Sequence, residues 1–526
     1  EERVKEVADQ EIIYTLGMRG VHDGAMNGAK TVEEQKTVLG KAIADQRCLL
    51  SQYVSKNVTK VPQVFIPYKE VLDVYNAGLE VPEDVTLMWC DDNYGYIRHF
   101  PTAQECSRKG GNGIYYHVSY WGRPHDYLWL GTFSPYLLYQ QMSEAYHRGI
   151  QKMWILNVGD IKPAEYQIEL FMDMAWNMDA IAKDGVKYHL NNFLAREFGE
   201  DAAIRLVPLM NEHYRLAFIR KPEFLGNTRC EEYGPDAAKW NRISDLPWSD
   251  EYITRRLEDY NKLSDAAERI NACISTSRMD TYFQLVKYPV QAAAEMNKKM
   301  LYAQLARHGK ETWEKSDAAY DSIVALTRNY NTGIHNQGKW HGMMDCQPRC
   351  LPVFEPVDRA SLVMPVPHEQ MVLCKWNGAE YTDGKAALCE GLGYEGKAVM
   401  LDKDKTLSFD FENCAEDSVE VEIRLLPNHP VSGNQMRIAV CLDKKRTDAR
   451  IVAYQAEGRS EEWKENVLRN QAIRRVAFPV ERKKGMHRLT VTALDEGVIL
   501  DQIVIRNMVI EVMSPINNEC GTFSGV

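Results

Sequence analysis

Short apolar segments in the first third of the chain end in side chains suited to acid–base chemistry. Leu87–Cys90 and Ile114–Tyr116 are short enough to be buried strands, and polar residues follow both. For one strand end alone, capping of the next helix is an equally good interpretation. The pattern recurs, however, and parallel strands present their carboxyl ends on one edge of a sheet. The sequence therefore predicts one pocket, built from Arg19, His22, Asp23, Tyr68, Glu70, Asp91, Asp92, Asn93, His117, Tyr120, Asn157, Asp160 and Lys162.

These strand ends require alternating strands and helices to position them. We predict strands at Glu11–Gly17, Val61–Ile66, Leu87–Cys90, Ile114–Tyr116 and Lys152–Leu156. The predicted helices are Thr31–Ser55, Val71–Ala77, Pro135–Gly149 and Ala164–Ala182. Thr31 and Glu34 form a capping-box pattern at the first of them. Repeated β-loop-α units build parallel sheets. Residues 1–185 are therefore expected to be the C-terminal part of a (β/α)8 barrel, with a complete five-stranded open sheet as the alternative.

The rest of the chain changes character twice. Residues 186–345 carry helical periodicity and predict a bundle that includes Tyr252–Cys273, Thr281–Ala306 and Thr312–Tyr330. Residues 346–526 predict a linker loop and a β-sandwich, since strand alternation begins after Pro367. Trp340, beside His341, suits either sugar stacking or an anchor between domains. The fold class is thus multidomain: partial TIM barrel, helical bundle and C-terminal β-sandwich.

Composition excludes several functional classes. The 526 residues carry a net charge of −11 with no basic stripe, which argues against a nucleic-acid partner. No apolar run is long enough to span a membrane. Cys346 and Cys350 lack the further clustered ligands that structural zinc needs. The sequence has neither a GxGxxG nor a GxxxxGK[ST] motif, so nucleotide chemistry is disfavoured. We expect no metal and no cofactor.

Carboxylates dominate the predicted pocket, and two chemistries suit them. Glycoside hydrolysis needs one protonated and one ionised carboxyl on either side of the scissile bond, and a separation of roughly 6.5–9.5 Å predicts inversion. Glu70 has the more apolar sequence neighbours and suits the acid; Asp23 or Asp91 suits the base. A metal-dependent hydrolase, with ligands among His22, Asp23, Asp91 and His117, is an alternative.

Four motifs, GMRGVHDG, WCDDNYGYIR, GGNGIYYHVSYWGRPHDYLWL and LNVGDIKPAE, occur in this order. Together they resemble glycoside hydrolase family 115, over the chain up to about residue 515. The resemblance implies an inverting α-glucuronidase that removes (4-O-methyl)glucuronic acid from xylan without a cofactor. It also implies an N-terminal domain and early barrel strands that this chain lacks, and a homodimer formed through the bundle and the sandwich.

The resemblance also assigns roles. Glu70 is similar to the family's general acid, and Asp23 to its base, with Asp91 as the rival. Arg19, Tyr68, Asn93 and His117 match residues that bind the uronic acid or support catalysis. Arg19 can pair with the uronate carboxylate. Tyr68, Tyr120 or Trp121 can pack on the apolar face of the sugar.

The expected partner is glucuronoxylan or its oligosaccharides. Such a polymer lies outside the cytoplasm, so a periplasmic or extracellular bacterial location is expected. The competing hypothesis is a non-catalytic carbohydrate-binding protein. The trio Asp23, Glu70 and Asp91 argues against it, because a binder has no need of acid–base pairs.

Overall fold

The N-terminal part of the structure is a parallel sheet whose strands follow chain order. The computed structural model describes residues 1–21, 24–232, 237–333, 338–361, 363, 372–381, 386–413, 418–443, 449–454, 458, 460–480 and 485–507. The sheet order is β1-β2-β3-β4-β5. These strands are β1 Tyr14–Leu16, β2 Gln63–Phe65, β3 Thr86–Cys90, β4 Asn112–His117 and β5 Ile150–Asn157. A sequential order is that of neighbouring strands in a (β/α) barrel, whereas a doubly wound sheet reverses direction.

Helices connect these strands. They are α1 Glu2–Glu6, α2 Val32–Tyr53, α3 Glu70–Asn76, α4 Ala103–Cys106, α5 Pro135–His147, α6 Glu165–Trp176 and α7 Met178–Asp184. The predicted capping box at Thr31 is present, with both reciprocal hydrogen bonds to Glu34. The prediction of a single helix over Ala164–Ala182 is wrong: the helix divides at Asn177, whose non-helical backbone (φ −154°, ψ 84°) ends α6 and whose side chain caps α7. An apolar stripe continues across such a break, so periodicity does not detect it.

A helical region follows the sheet. Its helices are α8 Val186–Phe198, α9 Glu200–Ile219, α10 Ala237–Trp240, α11 Asp250–Asn271, α12 Met279–Tyr282, α13 Tyr288–Arg307 and α14 Trp313–Thr332. A π-helical turn, Phe283–Lys287, joins α12 to α13. The long helices bury a continuous apolar core among themselves, with Tyr260, Tyr282 and Tyr288 fully enclosed. Among the described residues, no helix has the length and apolar character needed to cross a bilayer.

Two antiparallel sheets form the C-terminal region. One has the order β13-β10-β15-β8-β7, with β6 also paired to β15, and the other has the order β12-β11-β14-β9. The strands are β6 Val372–Asn377, β7 Ala387–Glu390, β8 Lys397–Leu401, β9 Thr406–Asn413, β10 Ser418–Leu425, β11 Met436–Leu442, β12 Arg450–Tyr454, β13 Ala472–Pro479, β14 Gly485–Ala493 and β15 Val498–Asn507. The expected fold class, with a partial α/β barrel, a helical region and C-terminal antiparallel sheets, is confirmed.

One helix interrupts the C-terminal strands and was not predicted. Helix α15 spans Glu461–Arg469, with Ser460 as its N-cap. Its apolar side chains Trp463, Val467 and Leu468 belong to the same buried cluster as the parallel sheet. The C-terminal region therefore packs directly against the parallel sheet.

Candidate active site

A cavity of about 1320 Å³ opens at the carboxyl edge of the parallel sheet. Nine of the predicted site residues line it: Arg19, Tyr68, Glu70, Asp91, Asp92, Asn93, His117, Tyr120 and Asn157. They converge because β1 to β5 are neighbouring parallel strands whose carboxyl ends meet at one edge of the sheet, where His117 pairs with Asn157. Asp160 is exposed and is not among the lining residues. His22 and Asp23 lie outside the described residues.

Glu70 lines the cavity as the first residue of α3, where the helix dipole favours a carboxylate. Arg19 donates to it from two nitrogens, with Nε–Oε1 at 3.0 Å and Nη2–Oε2 at 3.2 Å. Both side chains are partly exposed to the cavity. The apolar sequence neighbours of Glu70 predicted a medium that favours the protonated form. The tertiary structure instead pairs Glu70 with the Arg19 guanidinium, so the environment of this carboxyl is charged rather than apolar.

Asp91 is the second carboxyl in the cavity, and its environment is different. Its side chain is fully buried at the end of β3, with Oδ1 2.6 Å from His117 Nδ1. The Gly95 N–H donates to Oδ2 at 2.9 Å. Burial raises the pKa of Asp91 above its usual value, while His117 and the Gly95 N–H oppose that rise. Glu70 and Asp91 therefore lie in different environments within one cavity: Glu70 is partly exposed and paired with an arginine, whereas Asp91 is buried beside a histidine.

Tyr68 organises the aromatic wall between these carboxyls. Its hydroxyl donates to Asn93 Oδ1 at 3.0 Å, and its ring stacks on His117 at 6.3 Å and 25°. The Arg19 guanidinium lies 5.0 Å from the same ring. Burial raises the pKa of Tyr68, so the hydroxyl remains a donor throughout the accessible pH range. Asn93 receives this bond with a left-handed backbone, φ 72°, which turns the chain sharply after Asp92.

The structure gives Asp92 a different environment from that of the other predicted binding residues. Its Oδ1 accepts the backbone N–H groups of Tyr94 and Tyr96. Its Oδ2 accepts from the Trp463 indole at 2.8 Å and lies 3.1 Å from His429 Nε2. Asp92 thus borders the cavity, but both oxygens are engaged in holding the loop and the C-terminal region.

Lys69 also lines the cavity, although no sequence pattern indicated a role for it. Its Nζ donates to the Tyr120 hydroxyl at 3.1 Å and lies 4.8 Å from the Tyr68 ring centre. Its backbone has φ 53° and ψ −121°, a conformation that glycine normally occupies at the first central position of a type II′ turn. Strained backbone of this kind is typical of functional sites. Nothing in the sequence signals it, because a lysine before a helix is ordinary.

Trp340 was predicted as either a sugar-binding or an anchoring residue. Its indole Nε1 lies 3.4 Å from Asp280 Oδ2, and Lys162 Nζ lies 4.3 Å from its ring centre. It packs against the helical core and is absent from the lining of the cavity. The contacts of Trp340 therefore match the interpretation as an anchoring residue.

Glu169, Asp173 and His189 are close enough together to hold a cation, but they lie away from the cavity on α6 and α8. Arg196 donates to both carboxylate oxygens of Glu169 at 2.7 Å. Asp173 Oδ2 is 3.0 Å from His189 Nε2. These partners account for the cluster as an ion-pair network between two packed helices.

Comparison with known proteins is consistent with this geometry. The model of glycosyl hydrolase family 115 matches residues 1–224, and that of the family 115 C-terminal domain matches residues 390–511. A solved structure described as a family GH115 4-O-methyl-α-glucuronidase, BtGH115A, with specificity for decorated arabinogalactans, is 62% identical over 97% of this chain, with a TM-score of 0.93. The present chain spans 66% of the length of that protein.

Other solved structures resemble a smaller part of the chain. A carbohydrate-binding module from Cellvibrio mixtus lichenase 5A covers 26% of this chain at 16% identity, with all of its own length matched and a TM-score of 0.20, too low to support an argument. A comparison with curated protein sequences gave no significant match. The two family models and the 62% identical structure together decide the assignment: this chain belongs to glycosyl hydrolase family 115.

Proposed function

We propose that the chain is an α-glucuronidase that hydrolyses the bond between glucuronic acid, or its 4-O-methyl ether, and a polysaccharide. One observation carries the proposal: Glu70 and Asp91 line the same cavity in contrasting environments. Glycoside hydrolysis uses two carboxyls held in different protonation states. The contacts of Tyr68, Asn93 and His117 add hydrogen-bonding groups and an aromatic wall suited to one pyranose ring.

Glu70 is proposed as the general acid, with Asp23 or Asp91 as the base that activates water. A uronate carboxylate would compete with Glu70 for the Arg19 guanidinium, because Arg19 forms bidentate pairs with either. Uronate binding would thus release Glu70 from its pair with Arg19. Attack by water on the face opposite the leaving group inverts the anomeric carbon.

Glucuronoxylan, through an α-1,2 linkage, is the proposed substrate. Decorated arabinogalactan is the second candidate, since it is the specificity described for the 62% identical structure. Both polymers occur outside the cytoplasm, which is the basis for proposing a periplasmic or extracellular location. A homodimer also remains a proposal, and sedimentation velocity of the purified chain would test it.

The decisive experiment follows uronic-acid release from each polymer by NMR. It uses this chain and, in parallel, a version extended upstream of Glu1. Initial release of the β-anomer supports an inverting α-glucuronidase. Glu70→Gln and Asp91→Asn should each lower kcat more than tenfold, whereas the exposed Glu80→Gln should not. Polymer binding without release by any version would favour the carbohydrate-binding hypothesis, and loss of activity in chelator would favour a metal-dependent hydrolase.

A further inference from the structure

The cavity is larger than one sugar ring requires. Its volume of about 1320 Å³ exceeds the roughly 300–1,000 Å³ typical of small-molecule pockets. Asp91 and His117 lie among its buried residues, whereas Trp121 lies where the cavity meets solvent. Trp121 has 60% of its surface exposed and is one of the lining residues. A solvent-exposed indole at the rim of a polar cavity indicates a second surface that contacts the substrate.

The indole is held in place from one side. Arg349, which belongs to the segment after the helical region, places its guanidinium carbon 5.0 Å from the centre of the Trp121 ring. The same guanidinium donates to both oxygens of the buried Asp126 at 3.0 Å. It also donates to Glu231 Oε1 at 2.8 Å. Arg349 therefore packs against Trp121 as a fixed support.

The backbone around Trp121 is equally well fixed. The preceding residue, Tyr120, exchanges two backbone hydrogen bonds with Tyr127, at 3.1 and 3.0 Å. The following residue, Gly122, donates its N–H to Asp126 Oδ1 at 2.7 Å. Arg349 reaches this position from a turn in which it and Cys350 both have left-handed backbones, with φ 59° and 52°. Two such residues in succession are costly, and strain of this kind occurs where geometry serves a purpose.

The charges around Trp121 indicate which class of sugar ring its indole binds. The positive charge of Arg349 is balanced by Asp126 and Glu231, so this guanidinium is already paired and does not select an anionic ring. The exposed indole offers an apolar aromatic surface, which matches the C–H face of an uncharged pyranose. Trp121 is also adjacent to Tyr120, whose ring meets His117 at 5.8 Å. Because Trp121 and Tyr120 both line the cavity, a ring on Trp121 occupies the same cavity as the ring held by the inner residues.

Resting on the function proposed above, we propose that Trp121, supported by Arg349, binds an uncharged pyranose of the polysaccharide that carries the uronic acid. The uronic acid itself lies deeper, between Arg19, Tyr68 and His117. A rigid aromatic surface binds with little loss of conformational entropy, so it adds affinity for the polymer without contacting the scissile bond. Trp121 thereby distinguishes polymeric from small substrates.

The test compares a decorated oligosaccharide with methyl α-glucuronide, which has no second sugar. Trp121→Ala should raise KM for the oligosaccharide roughly tenfold, with kcat changed less than twofold and the loss confined to that substrate. Trp121→Phe, which keeps a ring, should give an intermediate KM. Trp176→Ala is the matched control, because Trp176 is 91% exposed and is not a lining residue. Equal losses on both substrates, or no loss on either, would overturn the proposal.

A second measurement separates this inference from the proposed function. Binding of an undecorated xylo- or galacto-oligosaccharide is measured by calorimetry, without hydrolysis. If the wild-type chain cleaves neither substrate, the proposed function fails and binding alone decides the role of Trp121. A weakening of fivefold or more in Trp121→Ala and Trp121→Phe, absent in Trp176→Ala, would support the contact. Unchanged affinity in the Trp121 variants, or no binding by the wild-type chain, would refute it.

Discussion

The indole Nε1 of Trp463 donates a 2.8 Å hydrogen bond to Oδ2 of Asp92, joining residues 371 positions apart in the chain. Asp92 holds the backbone of the loop that turns Asn93 toward Tyr68. The C-terminal region therefore orients residues of the cavity as well as covering them.

Trp463→Phe should lower kcat/KM about tenfold, because a hydrogen bond to a buried carboxylate contributes about 1.5–3 kcal/mol. The change should appear mainly in kcat if the loop loses its alignment. Trp376→Phe is the control, since Trp376 packs against Phe409 inside the C-terminal sheets. Steady-state kinetics together with melting temperatures separates a loss of loop alignment from a loss of stability. Equal losses of activity in both variants would point to general destabilisation.

Removing His117 should shift the pH dependence of activity upward. Burial raises the pKa of Asp91, and His117 limits that rise. In His117→Gln the pKa of Asp91 should therefore be higher, so the limb of the kcat/KM profile that reports Asp91 moves to higher pH. His99→Gln is the control, because His99 pairs with Glu105 outside the cavity lining. Identical profiles for the wild type and His117→Gln would show that Asp91 does not control the reaction.

Lys69 should show a conflict between stability and activity. Lys69→Gly relieves the positive-φ backbone, so the free energy of unfolding should stay equal or rise by about 1 kcal/mol. Loss of the ammonium beside Tyr120 should lower kcat/KM at least tenfold. Lys69→Met should lose the activity without the gain in stability.

Asp404→Gly supplies the matched control for Lys69. Asp404 is an exposed positive-φ residue, with φ 65°, in the C-terminal region. Its substitution should keep full activity. Denaturant unfolding together with kinetics checks these expectations, and full activity in Lys69→Gly would remove Lys69 from the site.

Glu422 should govern acid stability of the C-terminal sheets. Burial alone would raise its pKa, but Arg424, Arg506 and Arg475 bring it to about 2, against 4.5 in an unfolded chain. Between these values the unfolded state binds more protons, so stability rises with pH. The contribution of Glu422 is complete above pH 4.5 and is lost as the pH falls through about 2.

Glu422→Gln should therefore destabilise the protein by about 3 kcal/mol at pH 7, because it leaves the partly buried guanidinium groups of Arg424 and Arg506 without their anion. The difference from wild type should disappear toward pH 2. Asp410→Asn removes the carboxylate from an exposed ion pair with Arg488 and should have little effect. Thermal unfolding across this pH range tests both variants. A difference that is independent of pH would contradict the assignment to ionised Glu422.

The sequence by itself determined where the strands end and which side chains follow them. Short apolar runs that stop in polar residues predicted β3 and β4, and parallel geometry predicted that Asp91 and His117 lie at the same edge of the sheet, where the structure pairs their side chains. The four motifs sufficed for the family. These inferences succeed because burial and element boundaries depend mainly on local composition and periodicity.

Only the tertiary structure decided which partner each polar group takes. Glu70 has apolar neighbours in sequence, yet Arg19, 51 positions away, pairs with it. The sequence position of Asp92 predicted a substrate-binding residue. In the folded chain its carboxylate contacts His429 and Trp463, which are 337 and 371 positions away. The strength of a charge or hydrogen bond depends on distance and burial in space. A one-dimensional pattern contains neither, so the environment of each carboxyl is fixed only when distant elements pack together.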